Sequence, residues 1–286
     1  MTNIDQFESV FKSADKERFA PEVVEIRRVL AVTDADPPAA DHFSRQARSF
    51  LNVLELPESD GWTAVCGSQF HSMSELMAIV AREKPDMIVT HRNLHSSSRA
   101  YPYSLGGYID VLTQATSLPI ALLPRPDLNV PLQAGSMATD RVMAITDHLT
   151  GDHHLVSFAA RMTLTGGTLF LTHVEDEAML QRFMAAIAKI PEIDTAMACD
   201  LLREQLLKEP TEYVATCREG LAKLFPSIKT EAIVTSGNRL ADYQRLVDER
   251  EIDMLVFNTK DDDQLAMHGL AYPLAVEMVR TPLLLL

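Results

Sequence analysis

The chain has 286 residues, and its 26 lysines and arginines against 40 aspartates and glutamates give a formal net charge of −14. At roughly 150 residues per domain this length predicts two domains. The acidic balance, with no lysine- or arginine-rich run, argues against binding nucleic acid or an anionic lipid surface.

The three cysteines, Cys66, Cys199 and Cys217, have no metal-ligand spacing and are odd in number, so no closed disulfide framework is expected. The first residues are polar and acidic, without the apolar core of a signal peptide. No stretch approaches the ~18 apolar residues of a membrane span. These features predict a cytoplasmic protein.

In chain order, residues 1–25 are expected to carry an amphipathic helix, over Ile4 to Phe19. A strand follows at Arg28–Asp34, then a helix from about Ala39 to Leu54 and a strand at Trp62–Cys66. Met73, Leu76, Met77 and Val80 share one helical face. Strands at Pro85–Thr90 and Ser117–Leu123 complete a first domain, 26–124, and the segment 125–140 reads as a linker.

The second domain, 141–286, begins with a strand at Arg141–Asp147 and continues with Thr168–Val174. A helical insert, 176–228, is expected to be broken into three helices by Pro191 and Pro210. Leu240, Tyr243, Leu246 and Val247 mark another helical face, followed by strands at Ile252–Phe257 and Pro282–Leu286. Short continuous apolar runs of this kind are parallel strands buried on both faces. Their alternation with helices predicts an α/β fold of doubly wound parallel sheets.

The two domains match block by block. Arg28–Asp34 and Arg141–Asp147 are each a basic residue, four apolar residues, Thr and Asp. Pro85–Thr90 matches Ile252–Phe257, and Ser117–Leu123 matches Arg280–Leu286, in the same order. Gly106 lies 13 residues before Pro119 and Gly269 lies 13 before Pro282, which marks them as one structural position. This is the pattern of a tandem duplication. Taking Gly67 and Gly237 as equivalent, the first copy lacks one strand–helix unit.

On these residues each half resembles a universal stress protein domain. The resemblance implies two tandem flavodoxin-like (adenine nucleotide alpha hydrolase-like) domains, the first truncated. The ATP-binding branch of that family carries a phosphate loop, G-x2-G-x9-G-[ST], after the fourth strand. Here His91 and Asn258 replace its first glycine, and Leu94 and Asp261 its second. The third is kept as Gly106 and Gly269, followed by Gly107 and Leu270 instead of Ser or Thr.

The glycines of that loop let backbone N–H groups approach phosphate closely. Side chains in their place, and the carboxylates of Asp261-Asp262-Asp263 in the second half, predict that neither half binds ATP tightly. The first loop is the more permissive, with His91, Arg92, Ser96, Ser97, Arg99, Gly106 and Gly107 offering donors and positive charge. The resemblance adds Asp34 and Asp147, at the ends of the first strands, and Val174, Asn258 and Gly269 to the nucleotide-facing positions. For the two aspartates a helix N-cap is the favoured role.

His148, Asp152, His153 and His154 are expected to be an exposed helix start rather than a metal site. No nucleophile elbow or base-flanked cysteine is present, so no catalytic residue is assigned. The expected function is a stress-response binding or adaptor protein with no bound cofactor and an unidentified protein partner. The alternatives are a sensor holding ATP or AMP in the first half and, more remotely, a metal-dependent hydrolase. The resemblance further implies that the last strands of the two halves pair as an intramolecular pseudo-dimer, with a homodimer possible beyond it.

Overall fold

The computed structural model describes residues 17–57, 60–96, 103–124, 138–146, 149–190, 195–259, 267 and 269–286. Nine strands form one sheet in the order β2-β1-β3-β4-β9-β8-β5-β6-β7. The first half supplies β1 (Val29–Val32), β2 (Trp62–Val65), β3 (Met87–His91) and β4 (Ile120–Leu123). The second supplies β5 (Arg141–Ile145), β6 (Thr168–Asp176), β7 (Lys229–Gly237), β8 (Met254–Phe257) and β9 (Leu283–Leu285). Neighbours are parallel except at the centre, where β4 runs antiparallel to β9 with Ala121 opposite Leu284. The protein is α/β, with helices on both faces of a mostly parallel sheet.

Five of the helices start where a short polar side chain captures a free N–H group. Asp36 caps α1 (Pro37–Phe50) by accepting from the Ala39 N–H at 3.0 Å, and Pro37 takes the first turn, where a missing N–H costs nothing. Ser72 caps α2 (Met73–Glu83), Gly106 precedes α3 (Gly107–Ala115) and Asp152 caps α4 (His153–Met162). Asp176 caps α5 (Glu177–Ile187), and the long α6 (Thr195–Leu224) follows. Asn238 caps α7 (Arg239–Glu249), and α8 (Ala271–Glu277) leads into the last strand.

Alternate strand residues feed two cores. One joins Val29, Ala31, Val89, Val142 and Ala144 to Phe43 of α1, Val156 of α4 and Tyr213, Cys217 and Leu221 of α6. The other joins Leu30, Val32, Ile88, Met143 and Ile145 to Leu76 of α2, Leu112 of α3, Tyr243 of α7 and Leu274 of α8. Both cores run through both halves, so the sheet is buried as one unit.

Several expectations change. Residues 17–28 are irregular, not helical, and strap the two halves together. Phe19 is buried, its N–H donates to Thr216 Oγ1 at 2.9 Å, and the Glu22 N–H donates to Ser157 Oγ at 3.0 Å. The rest of the expected N-terminal helix, and most of the 125–140 linker, lie outside the described residues.

Pro210 does not break the insert, which has two helices and not three; it sits inside α6. A proline there removes the bond to the carbonyl four residues back, at Leu206, which is exposed to water. The Thr211 hydroxyl donates to the next carbonyl, Leu207, at 2.6 Å.

β2 also differs from its expected match with β7. It pairs with β1, Trp62 opposite Val29, in the place that β6 holds beside β5. Among the described residues no strand lies beyond β2 at this edge, whereas β7 lies beyond β6 at the other.

Candidate functional site

Ligands of open parallel sheets bind outside the carboxyl ends of the strands. In the first half that edge is built by the turns after β1, β2 and β3. Asp34 is not a helix cap, since Asp36 takes that role. Its Oδ2 accepts the His95 N–H at 3.0 Å, and its Oδ1 lies 3.4 Å from His91 Nε2.

His91 is buried against Phe43, ring centroids 5.5 Å apart. Its Nδ1 is 2.9 Å from the Arg92 carbonyl, which only accepts, so Nδ1 carries the hydrogen. In the neutral ring Nε2 is then an acceptor for the Thr33 hydroxyl, 2.8 Å away. His91 thus pins β3 to the end of β1.

The turn after β2 closes on the same edge. The Gly67 N–H donates to the Ala35 carbonyl at 2.8 Å, and a Cβ on Gly67 would lie 2.2 Å from the Asp34 carbonyl oxygen. The Cys66 N–H donates to Gln69 Oε1 at 2.8 Å. Beyond it, His95 meets Phe70 edge-on at 4.7 Å and Tyr108 at 5.6 Å.

Arg92 points elsewhere. It is buried, and its Nη2 donates to the Met278 carbonyl of the second half at 2.8 Å. Burial lowers its pKa to about 10. Gly106 sits at φ 85°, where a Cβ would come within 2.8 Å of Asn93 Cα, whereas a Cβ on Gly107 would meet nothing within 4 Å. Ser96 is described at the end of this turn; Ser97 and Arg99 lie outside the described residues.

In the second half the edge is occupied by Tyr243. Its hydroxyl accepts the Val174 N–H at 3.1 Å and lies 3.4 Å from the Thr146 carbonyl. The Val174 carbonyl accepts Arg239 Nε at 3.0 Å. Asn258 Nδ2 donates to Asp152 Oδ2 at 2.7 Å, tying the end of β8 to the cap of α4. Burial raises the Asp152 carboxyl, with the Leu155 N–H, Asn258 and His154 pulling the other way. Gly269 takes φ 56° ahead of α8. Asp147, His148 and the Asp261-Asp262-Asp263 run lie outside the described residues.

The other histidines at the start of α4 hold the strap. His153 Nδ1 is 2.8 Å from the Tyr213 hydroxyl and its Nε2 3.4 Å from Glu17, while His154 Nδ1 is 2.8 Å from Glu22. Among the described residues no group of three or more His, Cys, Asp or Glu is placed to hold a metal ion. No helix among them is long and apolar enough to cross a membrane.

Sequence reasoning thus located Asp34, His91 and Asn258 at strand ends, Val174 near one and Gly106 at a helix start, but not the groups that satisfy them. Tyr243 was legible only as one member of an apolar stripe. Its phenol in an otherwise aliphatic row was the available signal, because a buried tyrosine hydroxyl seeks a partner. Arg239 and Gln69 carry no comparable signature.

No protein-family model matches the sequence, and no curated protein matches it. Solved structures do. A candidate universal stress protein from Pseudomonas aeruginosa UCBPP-PA14 is 12% identical, with 91% of this chain and 93% of that one covered and a TM-score of 0.52. A functionally unknown protein from Pseudomonas aeruginosa PAO1 is 13% identical over 91% of this chain and 92% of its own, with a TM-score of 0.48. A universal stress protein from Archaeoglobus fulgidus DSM 4304 is 12% identical over 90% and 85%, at 0.42. The first of these shows the fold, the α/β sheet of the universal stress proteins.

Proposed function

We propose that this chain is a tandem protein of the universal stress type, serving a stress response as a binding or adaptor module, and that neither half holds ATP tightly. The carrying observation is Val174, whose N–H and C=O are both engaged inside the protein, by Tyr243 and Arg239. A ligand reading that backbone would first have to break two partly buried hydrogen bonds, each worth about 1 kcal/mol or more.

The first half supports the same reading. Asp34, Cys66 N–H and the Arg92 guanidinium are committed to His95, Gln69 and Met278. The duplication is supported by the repeated succession β1-β3-β4 and β5-β8-β9, and by positive φ at both Gly106 and Gly269. The stress role rests on likeness of fold, which supports a class of function and no particular partner.

A second reading, a nucleotide sensor, is favoured by one observation, the open space at Gly107 on the N-terminal end of α3. Titration calorimetry with ATP or AMP and Mg²⁺ separates the two. The adaptor reading expects no saturable heat; a dissociation constant of micromolar or tighter overturns it in favour of the sensor.

A further inference from the structure

Six of the eleven large apolar side chains that are exposed among the described residues fall between Met179 and Leu206. They lie on an arm that projects past the sheet. The pairing of β5 with β6 ends at Ile145 opposite Thr172, whereas β6 and β7 stay paired as far as Asp176 opposite Gly237. There α5 starts, and Arg203 Nη2 donates to Glu177 Oε1 at 2.8 Å, which sets the first half of α6 beside it. Tyr213, further along α6, is buried in the core, its hydroxyl 2.8 Å from Nδ1 of His153 at the start of α4. From Arg203 to Tyr213 the helix rises about 15 Å. The four extra strand residues account for about 13 Å of that. Met179 and Phe183 are exposed one turn apart on α5 of the arm, and Met197 and Leu201 one turn apart on α6.

The strap enters at the foot of this arm. The Glu22 N–H donates to Ser157 Oγ, the Phe19 N–H donates to Thr216 Oγ1, and Glu17 lies 3.4 Å from His153 Nε2. The Phe19 ring lies on Gly220, where a Cβ would come within 2.7 Å of its Cδ1. Followed backwards, the chain passes Gly220, Thr216 and then the His153–Tyr213 pair, climbing α6 towards the arm. Residues 1–16 lie outside the described residues. In their sequence Ile4, Phe7, Val10, Phe11 and Ala14 share one helical face, with Asp5, Ser9, Lys12 and Lys16 opposite.

We propose that residues 4–16 form a helix laid along the arm, its apolar face on the exposed stripes of α5 and α6. The reach fits. With Glu17 at the level of Tyr213 and both helices rising by about 1.5 Å per residue, Phe11 comes level with Leu207 and Ile4 with Asp200. Exposed Leu206 and Leu201 stand one residue from those levels. Tethering selects this occupant over another molecule. A helix this short is marginal alone in water. The stripe that stabilises it begins where the chain is anchored, so the effective concentration is on the order of millimolar. The contact is an amphipathic helix on an apolar groove, made within one chain. It closes the arm to other amphipathic helices until this one lifts.

Hydrogen exchange of the full chain, read by mass spectrometry, tests this. The amides of residues 5–16 should exchange at least about tenfold more slowly than in a free peptide of that sequence. Leu201→Glu and Phe7→Glu should each remove most of that protection. Val23→Glu, at a strap residue 87% exposed, should leave it in place. The amides of β5 and β8 report in the same run that the variants stay folded, and Met197→Glu repeats the test from a second exposed position on α6. Exchange at the free-peptide rate overturns the proposal, as does protection that Leu201→Glu and Met197→Glu leave unchanged. Protection that fades on dilution assigns the cover to a second copy and overturns it too.

Discussion

The guanidinium of Arg92, in the turn after β3 of the first half, donates to the carbonyl of Met278, which ends α8 of the second half, at 2.8 Å. A cation at a helix C-terminus suits the partial negative charge gathered there. Burial works against the charged form, as the pKa lowered to about 10 records. The carbonyl decides the balance, because Met278 is itself buried and would lose its donor. Arg92→Met should therefore lower the urea unfolding free energy by about 1–3 kcal/mol. An unchanged or higher value would mean that burying the charge costs more than the bond returns.

Tyr243 and Val174 make a second test. Replacing Tyr243 by Phe keeps the ring in its core and removes only the hydroxyl that receives the Val174 N–H. The stranded buried donor should cost about 1–3 kcal/mol. Tyr272→Phe, on a half-exposed side chain, is the control and should change nothing measurable. Equal effects at both positions would count against the role given to the Tyr243 hydroxyl.

What the sequence made legible is what hydrophobic pattern encodes. The strands at Val29–Val32 and Met254–Phe257, and the stretches Met87–Val89 and Val142–Ile145 of two others, are buried on both faces and read as unbroken apolar runs. The α2 and α7 faces emerged from period 3.6, with Leu76, Val80, Tyr243 and Leu246 buried as spaced. The rest depends on distant partners. Arg92 reads as a loop cation until Met278 is brought to it from 186 residues away. Pro210 reads as a helix breaker because sequence does not show that the residue whose carbonyl it leaves free, Leu206, is exposed. Gly67 is matched to Gly237 by order along the chain, whereas the strand before it, β2, neighbours β1 as β6 neighbours β5.

Two glycines predict opposite outcomes from one substitution. A methyl group at Gly67 would stand 2.2 Å from the Asp34 carbonyl oxygen and 2.6 Å from its carbon, both main chain. Gly67→Ala must push the β1 and β2 turns apart and should cost about 2–4 kcal/mol, in the range of the larger single-site effects. At Gly107, the first residue of α3, the same methyl meets nothing within 4 Å. Gly107→Ala should leave stability unchanged or raise it by up to ~1 kcal/mol, through a less flexible unfolded chain. Urea unfolding of the pair checks both, and equal losses would contradict the close approach at Gly67.

The cysteines offer a chemical reading of the strap core. Cys217 is buried in α6, and burial pushes its thiol from about 9 up to about 12, although the Tyr213 contact pulls the other way. At about pH 8 its thiolate fraction is therefore about one in ten thousand, and the thiolate is the reactive form. Cys199 is partly exposed, on the side of α6 away from Met197 and Leu201. A native thiol titration should label Cys199 promptly and Cys217 only after unfolding. The linkage has a definite sign, since a folded-state pKa above the unfolded one favours folding by the protonated thiol. That contribution is complete below about pH 9 and lost as the pH rises towards 12. Cys217→Ala should remove this part of the alkaline loss of stability while leaving a cavity that lowers stability at neutral pH by about 1 kcal/mol or more. Prompt labelling of Cys217 in the folded protein would show that α6 opens here far more readily than its burial implies.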